Sequence, residues 1–380
     1  IYASGLYIGS GIGIFIGGLI VDNWNNAYPI ISEAPFGLKG WQVAFMAVGI
    51  PGMLLALLTW QIKEPPRGLS EGLISSESKN PLKETFKELV GLTPFGLVGS
   101  DNFKKELSIN IIFTVLIFLA SYYLYVLTGD FLQWTAFGIG VYVICNWIHG
   151  LKNRDPVAFL LIFKSKALLL GLLSFPFITF VTYALGAFGP SFYIRNFSMT
   201  ATEVGIIYGL ITVFGSMIGV ICGGILGDKL RETYVNGKLY LIMASAVLTG
   251  VTAIGFIHSE NLVASFTWKF VYHIASTAWL GCAASTVTEL VLPRLRAVAS
   301  AFFILMLSMI GLALGPYLTG MVSDIYINSG LLPGPALKNA MTLTLVVLIL
   351  PFGLLAVACK YLKSDEAEIY EKARSLGEEI

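Results

Sequence analysis

Two basic residues inside an otherwise apolar stretch of the chain are the first candidates for chemistry. Lys269 and His273 are four residues apart, so on a helix they lie one turn apart on the same face. Ionisable side chains inside apolar helices are by default candidates for binding sites and proton relays, and histidine exchanges its proton near neutral pH. The alternatives are a lysine that extends to the membrane surface and a hydrogen-bonded structural histidine. Both interpretations stay open.

A second set of candidates consists of charges at the ends of apolar stretches. We predict that these side chains form a cytoplasmic gate, that is, a charge network that holds two parts of the protein together in one state and releases them in another. The alternative is solvated helix ends, which contribute little to stability. The predicted gate residues are Gly224, Asp228, Lys229, Arg231, Glu289, Arg294 and Arg296.

Patterns typical of enzymes, metal sites and nucleotide sites are absent from the sequence. It contains no HExxH, GxSxG or GxxxxGK[ST] pattern, and its four cysteines are far apart without CxxC spacing. We therefore expect no catalytic residue, no metal and no cofactor, and we expect the protein not to be an enzyme. Because the sequence has no nucleotide-binding loop, any energy that the protein uses must come from an ion or solute gradient.

The composition requires a membrane. Of the 380 residues, 56% are hydrophobic and only 12% are charged, about half the charged share of soluble domains. A soluble fold of this size cannot cover so much apolar surface, so a lipid bilayer must solvate part of it. The net charge of +1 leaves no basic excess for nucleic acid.

Ten stretches are long and apolar enough to cross the bilayer as helices. We predict an all-α, multi-pass membrane protein with spans at 1–20, 41–61, 108–127, 131–148, 167–192, 202–226, 239–257, 265–290, 297–322 and 339–362. A short helix at the membrane surface is predicted at 156–166.

The basic residues predict the orientation of these spans. If the connections between spans are assigned alternately to two sides, 20 of the 24 Lys and Arg residues fall on the side of the C-terminus and three on the other. Positive loops are retained in the cytoplasm, so the C-terminus is predicted to be cytoplasmic, with the plasma (inner) membrane as the location.

A charged segment divides the chain. The stretch 63–107 holds 14 charged residues besides several Gly and Pro, which is typical of a linker between domains. The predicted divisions are 1–62, the linker 63–107, an inserted transmembrane hairpin at 108–149, a helical bundle at 150–363 and a cytoplasmic tail at 364–380.

An internal repeat relates the first two spans to the last two. Residues of the first span, among them Asp22, recur in the ninth at an offset of 302, and Pro51 of the second recurs as Pro351 at an offset of 300. Small residues at such positions let helices approach closely. The residues predicted to pack helices together are the repeated glycines and the proline that follows one of them: Gly9, Gly13, Gly18, Gly311, Gly315, Pro316 and Gly320.

The repeat indicates two parallel six-helix units if the hairpin is an insertion. The second unit then begins with the span at 167–192, and the first retains only its last two helices. We therefore expect four further helices, roughly 120–150 residues, upstream of this chain.

Three motifs resemble the major facilitator superfamily, whose fold is two parallel six-helix bundles. The run from Gly224 to Arg231 is similar to its glycine, aspartate and basic signature, and Glu289 with Arg296 is similar to its charge-relay pair. Gly315 followed by Pro316 resembles its glycine and proline helix motif. The resemblance implies a transporter.

Two longer stretches resemble the spinster-type subfamily, one running from Gly40 to Gly68 and the other from Pro293 to Asp324. The subfamily resemblance implies a small amphipathic organic substrate, such as a lysolipid, and coupling to protons. The inserted hairpin, which gives fourteen spans in a complete protein, keeps a proton-coupled peptide or organic-anion transporter as an alternative. A non-transporting membrane sensor with the same fold is the alternative from another functional class.

The superfamily resemblance also implies which helices line a central cavity. They are the spans at 167–192 and 265–290, which gives a predicted substrate site of Tyr183, Lys269, Tyr272, His273 and Trp279. We expect the partners to be a small-molecule substrate, the lipid bilayer and protons, and we expect a monomer.

Overall fold

The computed structural model describes residues 4–62 and 103–375 together with six isolated positions between them. Most of the predicted linker 63–107, including the Glu64–Gly68 part of the spinster-like stretch, lies outside these residues, as do the last five residues of the predicted tail. Within the described ranges the regular elements are helices. They are α1 (Ser4–Ala27), α2 (Gly40–Trp60), α3 (Phe103–Thr128), α4 (Phe131–Arg154), α5 (Pro156–Phe163), α6 (Lys166–Phe197), α7 (Ala201–Thr233), α8 (Gly237–His258), α9 (Leu262–Thr277), α10 (Trp279–Glu289), α11 (Arg296–Met306), α12 (Ala313–Asn328), α13 (Pro333–Thr344), α14 (Ile349–Ala358) and α15 (Leu362–Ser375).

Eight helices in the described ranges are long and apolar enough to cross a membrane. Two of them are composite: a π-helical segment, Leu307–Leu312, joins α11 to α12, and a 3₁₀ segment, Leu345–Leu348, joins α13 to α14. The first predicted span is the helix α1. The predicted span at 265–290 is interrupted at Ala278, which separates α9 from α10. The all-α membrane class is confirmed, and the count of ten spans stays a prediction.

The chain forms two compact units. The larger unit contains Ile1–Pro51 and Leu161–Ile380, and the smaller unit contains Gly52–Leu160. The predicted domain boundaries stay a prediction. The predicted short helix at 156–166 is present as α5, and the predicted tail begins as the helix α15.

The smaller unit contains the hairpin of α3 and α4, which is held by buried polar contacts. Asn110 donates a hydrogen bond to Asn146 over 2.8 Å and accepts one from the Tyr142 hydroxyl over 3.0 Å. One turn away, the Glu106 carboxylate contacts His149 Nε2. These groups satisfy one another between the two helices, as buried polar groups in a bilayer must, so the polar residues hold the hairpin together.

In the larger unit, glycines set how closely helices approach α6 and α7. Gly311 and Gly315 lie against Thr179 and Phe180 of α6, where a Cβ atom would not fit. Gly320 lies against Phe188, which is also on α6. Pro316 lies within α12. The close contacts of Gly311, Gly315 and Gly320 put α12 and its π segment against α6.

A row of glycines at four-residue intervals on α7 faces α9 and α10. Gly215, Gly219 and Gly223 lie against the backbone of Phe270, Ile274 and Ala278, in that order, and Gly227 lies against Cys282. Gly223 therefore makes room for the interruption between α9 and α10. The row thus permits close contact of α7 with α9 and α10.

Helix α1 packs mainly on α7, and of the α1 glycines that the repeat suggests, Gly18 takes part in this contact. A Cβ atom on Gly18 would lie 2.6 Å from the Ala201 carbonyl oxygen, and one on Gly209 would lie 2.8 Å from the Gly11 carbonyl oxygen. We call the contact formed by Gly11, Gly18, Gly205 and Gly209 the α1–α7 seam. Gly9 and Gly13 have no described atom within 4 Å of a Cβ position, and their packing role stays a prediction.

Candidate functional site

Lys269 lies in the core of the larger unit, surrounded by aromatic rings. Its side chain is fully buried, and its Nζ atom has no hydrogen-bond partner among the described residues. The Nζ atom lies 4.2, 4.3 and 4.9 Å from the ring centres of Phe256, Tyr272 and Tyr208. These distances are within the range of cation–π attraction. We call the three rings the aromatic cage.

The cage is assembled from three helices, two of which begin with a side-chain cap. Tyr208 comes from α7, which begins with a capping box in which Thr200 and Glu203 satisfy each other's backbone N–H groups. Phe256 comes from α8, and Tyr272 from α9, whose first turn is capped by the Asn261 side chain. The packing of these helices brings the rings to Lys269.

Contacts with α6 hold the Tyr208 ring in place. A Cβ atom on Gly189 would lie 2.8 Å from the Tyr208 ring, so only glycine leaves room for it there. The Tyr208 hydroxyl donates a hydrogen bond to the Leu185 carbonyl over 3.4 Å. Behind Tyr208, the rings of Tyr193 and Phe266 stack with their centres 4.2 Å apart. The cage is therefore supported by a second layer of packed aromatic residues.

His273 lies one turn from Lys269 and faces two hydroxyl groups of α7. Its Nε2 atom is 3.3 Å from Thr212 Oγ1 and its Nδ1 atom is 3.4 Å from Ser216 Oγ. The Thr212 hydroxyl donates to the Tyr208 carbonyl over 2.8 Å, so it can accept from Nε2–H, while the Ser216 hydroxyl can donate to Nδ1. The arrangement can hold or move a proton, and it also satisfies a buried structural histidine.

The other predicted substrate-site residues lie in different surroundings. Tyr272 is a wall of the cage. Trp279 is buried, stacks on Phe175 with ring centres 6.0 Å apart, and donates its indole N–H to the Ser276 carbonyl. Tyr183 is 41% exposed on α6. The structure thus brings together Lys269, Tyr272 and His273, while Trp279 packs in the core and the roles of Trp279 and Tyr183 in binding stay predictions.

Two of the predicted gate residues share a lysine that the sequence analysis omits. Lys238, at the start of α8, is buried; its Nζ atom contacts Glu289 Oε1 and lies 3.8 Å from Asp228 Oδ1. The three residues join α7, α8 and α10 at one end. Gly224 has no described atom within 4 Å of a Cβ position, Lys229 and Arg294 are exposed, and Arg296 is half-buried. Their role as a gate between two halves stays a prediction.

Arg231 pairs with the tail helix α15. One of its terminal nitrogens donates to both carboxylate oxygens of Glu366 over 2.6 Å. Nearby, the Asp365 carboxylate accepts hydrogen bonds from the Ser165 hydroxyl and the Ala167 amide, each over 2.8 Å. Carboxylates are favourable at helix N-termini, so the tail fastens the neighbouring ends of α6 and α7.

Reversing one charge of the Arg231–Glu366 pair is expected to lower the thermal stability of the purified protein. Both side chains are partly exposed, so we expect a loss of about 1 kcal/mol for Arg231→Glu or Glu366→Arg. The double variant should recover most of it, because the pair is restored with reversed sign. Thermal unfolding in detergent measures the effect, with Glu232→Lys, an exposed position on the same helix, as the control. Additive losses in the double variant would contradict the pair.

The residues that sequence analysis missed are mostly partners from other helices: Tyr208, Phe256, Thr212, Ser216, Lys238 and Glu366. Each is an ordinary member of an apolar or a polar stretch, and only helix packing places it beside a candidate. As to metals, no cluster of three or more His, Cys, Asp or Glu residues that could hold an ion is found in the described ranges.

Comparisons with known proteins agree with this helical arrangement. The family model for the Major Facilitator Superfamily matches residues 1–316. An MFS-type efflux pump from Mycolicibacterium smegmatis is 30% identical over 201 residues, which cover 52% of this chain and 45% of that protein. The protein spinster of Drosophila melanogaster is 26% identical over 173 residues, which cover 42% of this chain and 28% of that protein.

A solved structure shares the fold over nearly the whole chain. It is described as a bacterial homolog to the human lysosomal transporter spinster in an inward-facing and unoccupied conformation. The likeness has a TM-score of 0.52 at 20% identity and covers 98% of this chain and 70% of that one. The chain matches less than half the length of the two curated relatives. The chain belongs to the Major Facilitator Superfamily.

Proposed function

We propose that the complete protein is a secondary active transporter that moves a small amphipathic organic solute across the bilayer by alternating access. The observation that carries the proposal is the buried Lys269 in its aromatic cage, with His273 one turn away. Membrane transporters of this architecture bind their substrates near the bilayer midplane, between their helical bundles. A cation next to aromatic surface suits a molecule with an anionic head and an apolar body.

The chemistry of Lys269 favours an anionic group as the partner in a substrate. Removing an ammonium group from water is costly unless an acceptor compensates it, and no acceptor lies within hydrogen-bond distance among the described residues. The three rings compensate part of this cost. A phosphate or carboxylate that reaches Nζ would supply the missing acceptor, so binding of an anion is favoured over binding of a second cation.

Proton coupling is proposed at His273. Its two ring nitrogens face the hydroxyls of Thr212 and Ser216. Thr212, which donates to the Tyr208 carbonyl, can accept from the ring, and Ser216 can donate to it. Histidine is the side chain suited to proton exchange near neutral pH. Its nearness to Lys269 couples the two charges, because like charges four residues apart on a helix repel each other.

The membrane arrangement belongs to the same proposal. The C-terminus is cytoplasmic, because 20 of the 24 Lys and Arg residues fall on its side, and the location is the plasma membrane. The predicted gate residues close the cytoplasmic side in one state, with Lys238 as the link between Asp228 and Glu289. The protein acts as a monomer on a small-molecule substrate.

Flux through proteoliposomes tests this function. The full-length protein is reconstituted and supplied with a lysophospholipid, a dipeptide or an organic anion, each with and without a pH gradient. We expect the lysophospholipid to cross fastest, and a pH gradient to accelerate it. Empty liposomes and liposomes that carry a heat-denatured sample are the controls.

Each other outcome has a definite meaning. Flux that is indifferent to the pH gradient would remove the proton from the proposal. Faster movement of the dipeptide or the organic anion would favour the other transporter classes. Saturable binding of a solute without flux of any of them would contradict transport and favour a sensor.

A further inference from the structure

One contact at the end of the α1–α7 seam joins an acidic side chain of one helix to the first turn of the other. Asp22, near the C-terminal end of α1, accepts a hydrogen bond from the Thr202 backbone N–H over 2.6 Å. Thr202 is the second residue of α7. The contact combines a charge-assisted hydrogen bond with a carboxylate at the positive end of a helix dipole.

The caps within α7 leave this donor for Asp22. The first N–H groups of a helix have no partner inside the helix. The Thr200 hydroxyl accepts from the Glu203 amide, and the Glu203 carboxylate accepts from the Thr200 amide. The Thr202 N–H donates instead to the Asp22 carboxylate of α1. Asp22 therefore completes the cap of α7 from another part of the chain.

The seam is closed at the Asp22 end. From Gly18 to Gly11, α1 lies against Ala201 to Val213 of α7, with glycines on both helices. A Cβ atom on Gly205 would lie 3.3 Å from Gly18 Cα, so the two backbones lie too close for a solute to pass between them. Further toward the N-terminus of α1, Gly5 and Gly9 have no described atom within 4 Å of a Cβ position. Gly5 and Gly9 lie on a different face of α1 from Gly11 and Gly18, so the close contact involves one face of the helix.

We propose that Asp22 is the latch of the gate on the non-cytoplasmic side, where it holds α1 of the first half against α7 of the second. The inference rests on the proposed function and topology, which put these helices in different halves. Alternating access requires the halves to separate on each side in turn. The Asp22–Thr202 contact must break when this side opens, and its loss shifts the equilibrium toward the state open at this end.

The test measures the gate directly, without any solute. Spin labels are placed at Asn26 and Ser198, which are exposed beside the two helix ends, in the full-length protein with its native cysteines replaced. Asp22→Asn removes the charge, and Thr202→Pro removes the N–H donor, which belongs to the first turn of α7 and has no acceptor within the helix. We expect each to raise the ratio of open to closed distances about five-fold.

Asn23→Ala is the matched control, because Asn23 is the exposed neighbour of Asp22 on α1 and its side chain donates to the Leu19 carbonyl of its own helix. It should leave the Asn26–Ser198 distances unchanged. Thermal unfolding first confirms that all the proteins are folded. If the distances between the two labels in both Asp22→Asn and Thr202→Pro then equal those of the wild type, the latch is overturned. If the distances shift but the protein shows no flux, the proposed function alone is overturned. If the protein shows flux but the distances do not shift, the latch alone is overturned.

Discussion

The Lys269→Met variant is expected to unfold at a higher temperature than the wild-type protein. Methionine has a similar length and no charge, so the variant loses both the buried charge and its attraction to the rings. The effective penalty of burying an ion is several kcal/mol, whereas cation–π attraction in a desolvated site contributes about 2 kcal/mol. Because Lys269 is fully buried without a hydrogen-bond partner among the described residues, we expect a gain of about 1–3 kcal/mol.

Two further variants separate the charge from the shape of the site. Lys269→Arg keeps the charge but brings a wider, planar group that needs several acceptors, so it should be less stable than the wild type. Phe256→Leu removes one ring and leaves Lys269, and should also be less stable. Thermal unfolding in detergent compares all four proteins. A Lys269→Met variant that unfolds well below the wild type would identify Lys269 as a structural residue.

Substitution of Gly18 by valine is expected to be strongly destabilising, and substitution of Gly17 nearly neutral by comparison. A Cβ atom on Gly18 would lie 2.6 Å from the Ala201 carbonyl oxygen, whereas one on Gly17 meets no described atom within 4 Å. Both changes alter helix propensity equally, so the difference reports the contact. Overpacking of a close contact costs about 1–3 kcal/mol, which we expect as the gap between the two variants.

Equal melting temperatures for Gly18→Val and Gly17→Val would contradict the α1–α7 seam. Gly11→Val is a second test, because a side chain there would meet Val213 and the Gly209 carbonyl. It should behave like Gly18→Val.

The membrane-crossing helices were predictable because their length is set by the bilayer rather than by their partners. The apolar stretches at 41–61 and 202–226 correspond to α2 and to the greater part of α7. The interruption at Ala278 was not predictable, since neither glycine nor proline marks it. The Ala278 backbone lies against Gly223 of another helix.

The candidate site was predictable in part, for a related reason. A lysine inside an apolar stretch is visible in the sequence, and so is the histidine one turn later. Which rings surround Lys269 depends on how α7 and α8 pack against α9, and nothing in the sequence distinguishes Phe256 from the other 24 phenylalanines. The same limit applies to the seam, where the regular row of Gly9 and Gly13 is more conspicuous than Gly11, which makes the contact.

The most direct test of the account compares lysophospholipid flux through wild-type protein and Lys269→Met in the same proteoliposomes. Equal amounts of folded protein are confirmed first by quantifying the reconstituted protein and by thermal unfolding. The account predicts that the wild type moves the lipid and that Lys269→Met does so at the rate of empty liposomes, although it is at least as stable. Flux through Lys269→Met equal to that of the wild type would contradict the central role of Lys269 and its aromatic cage.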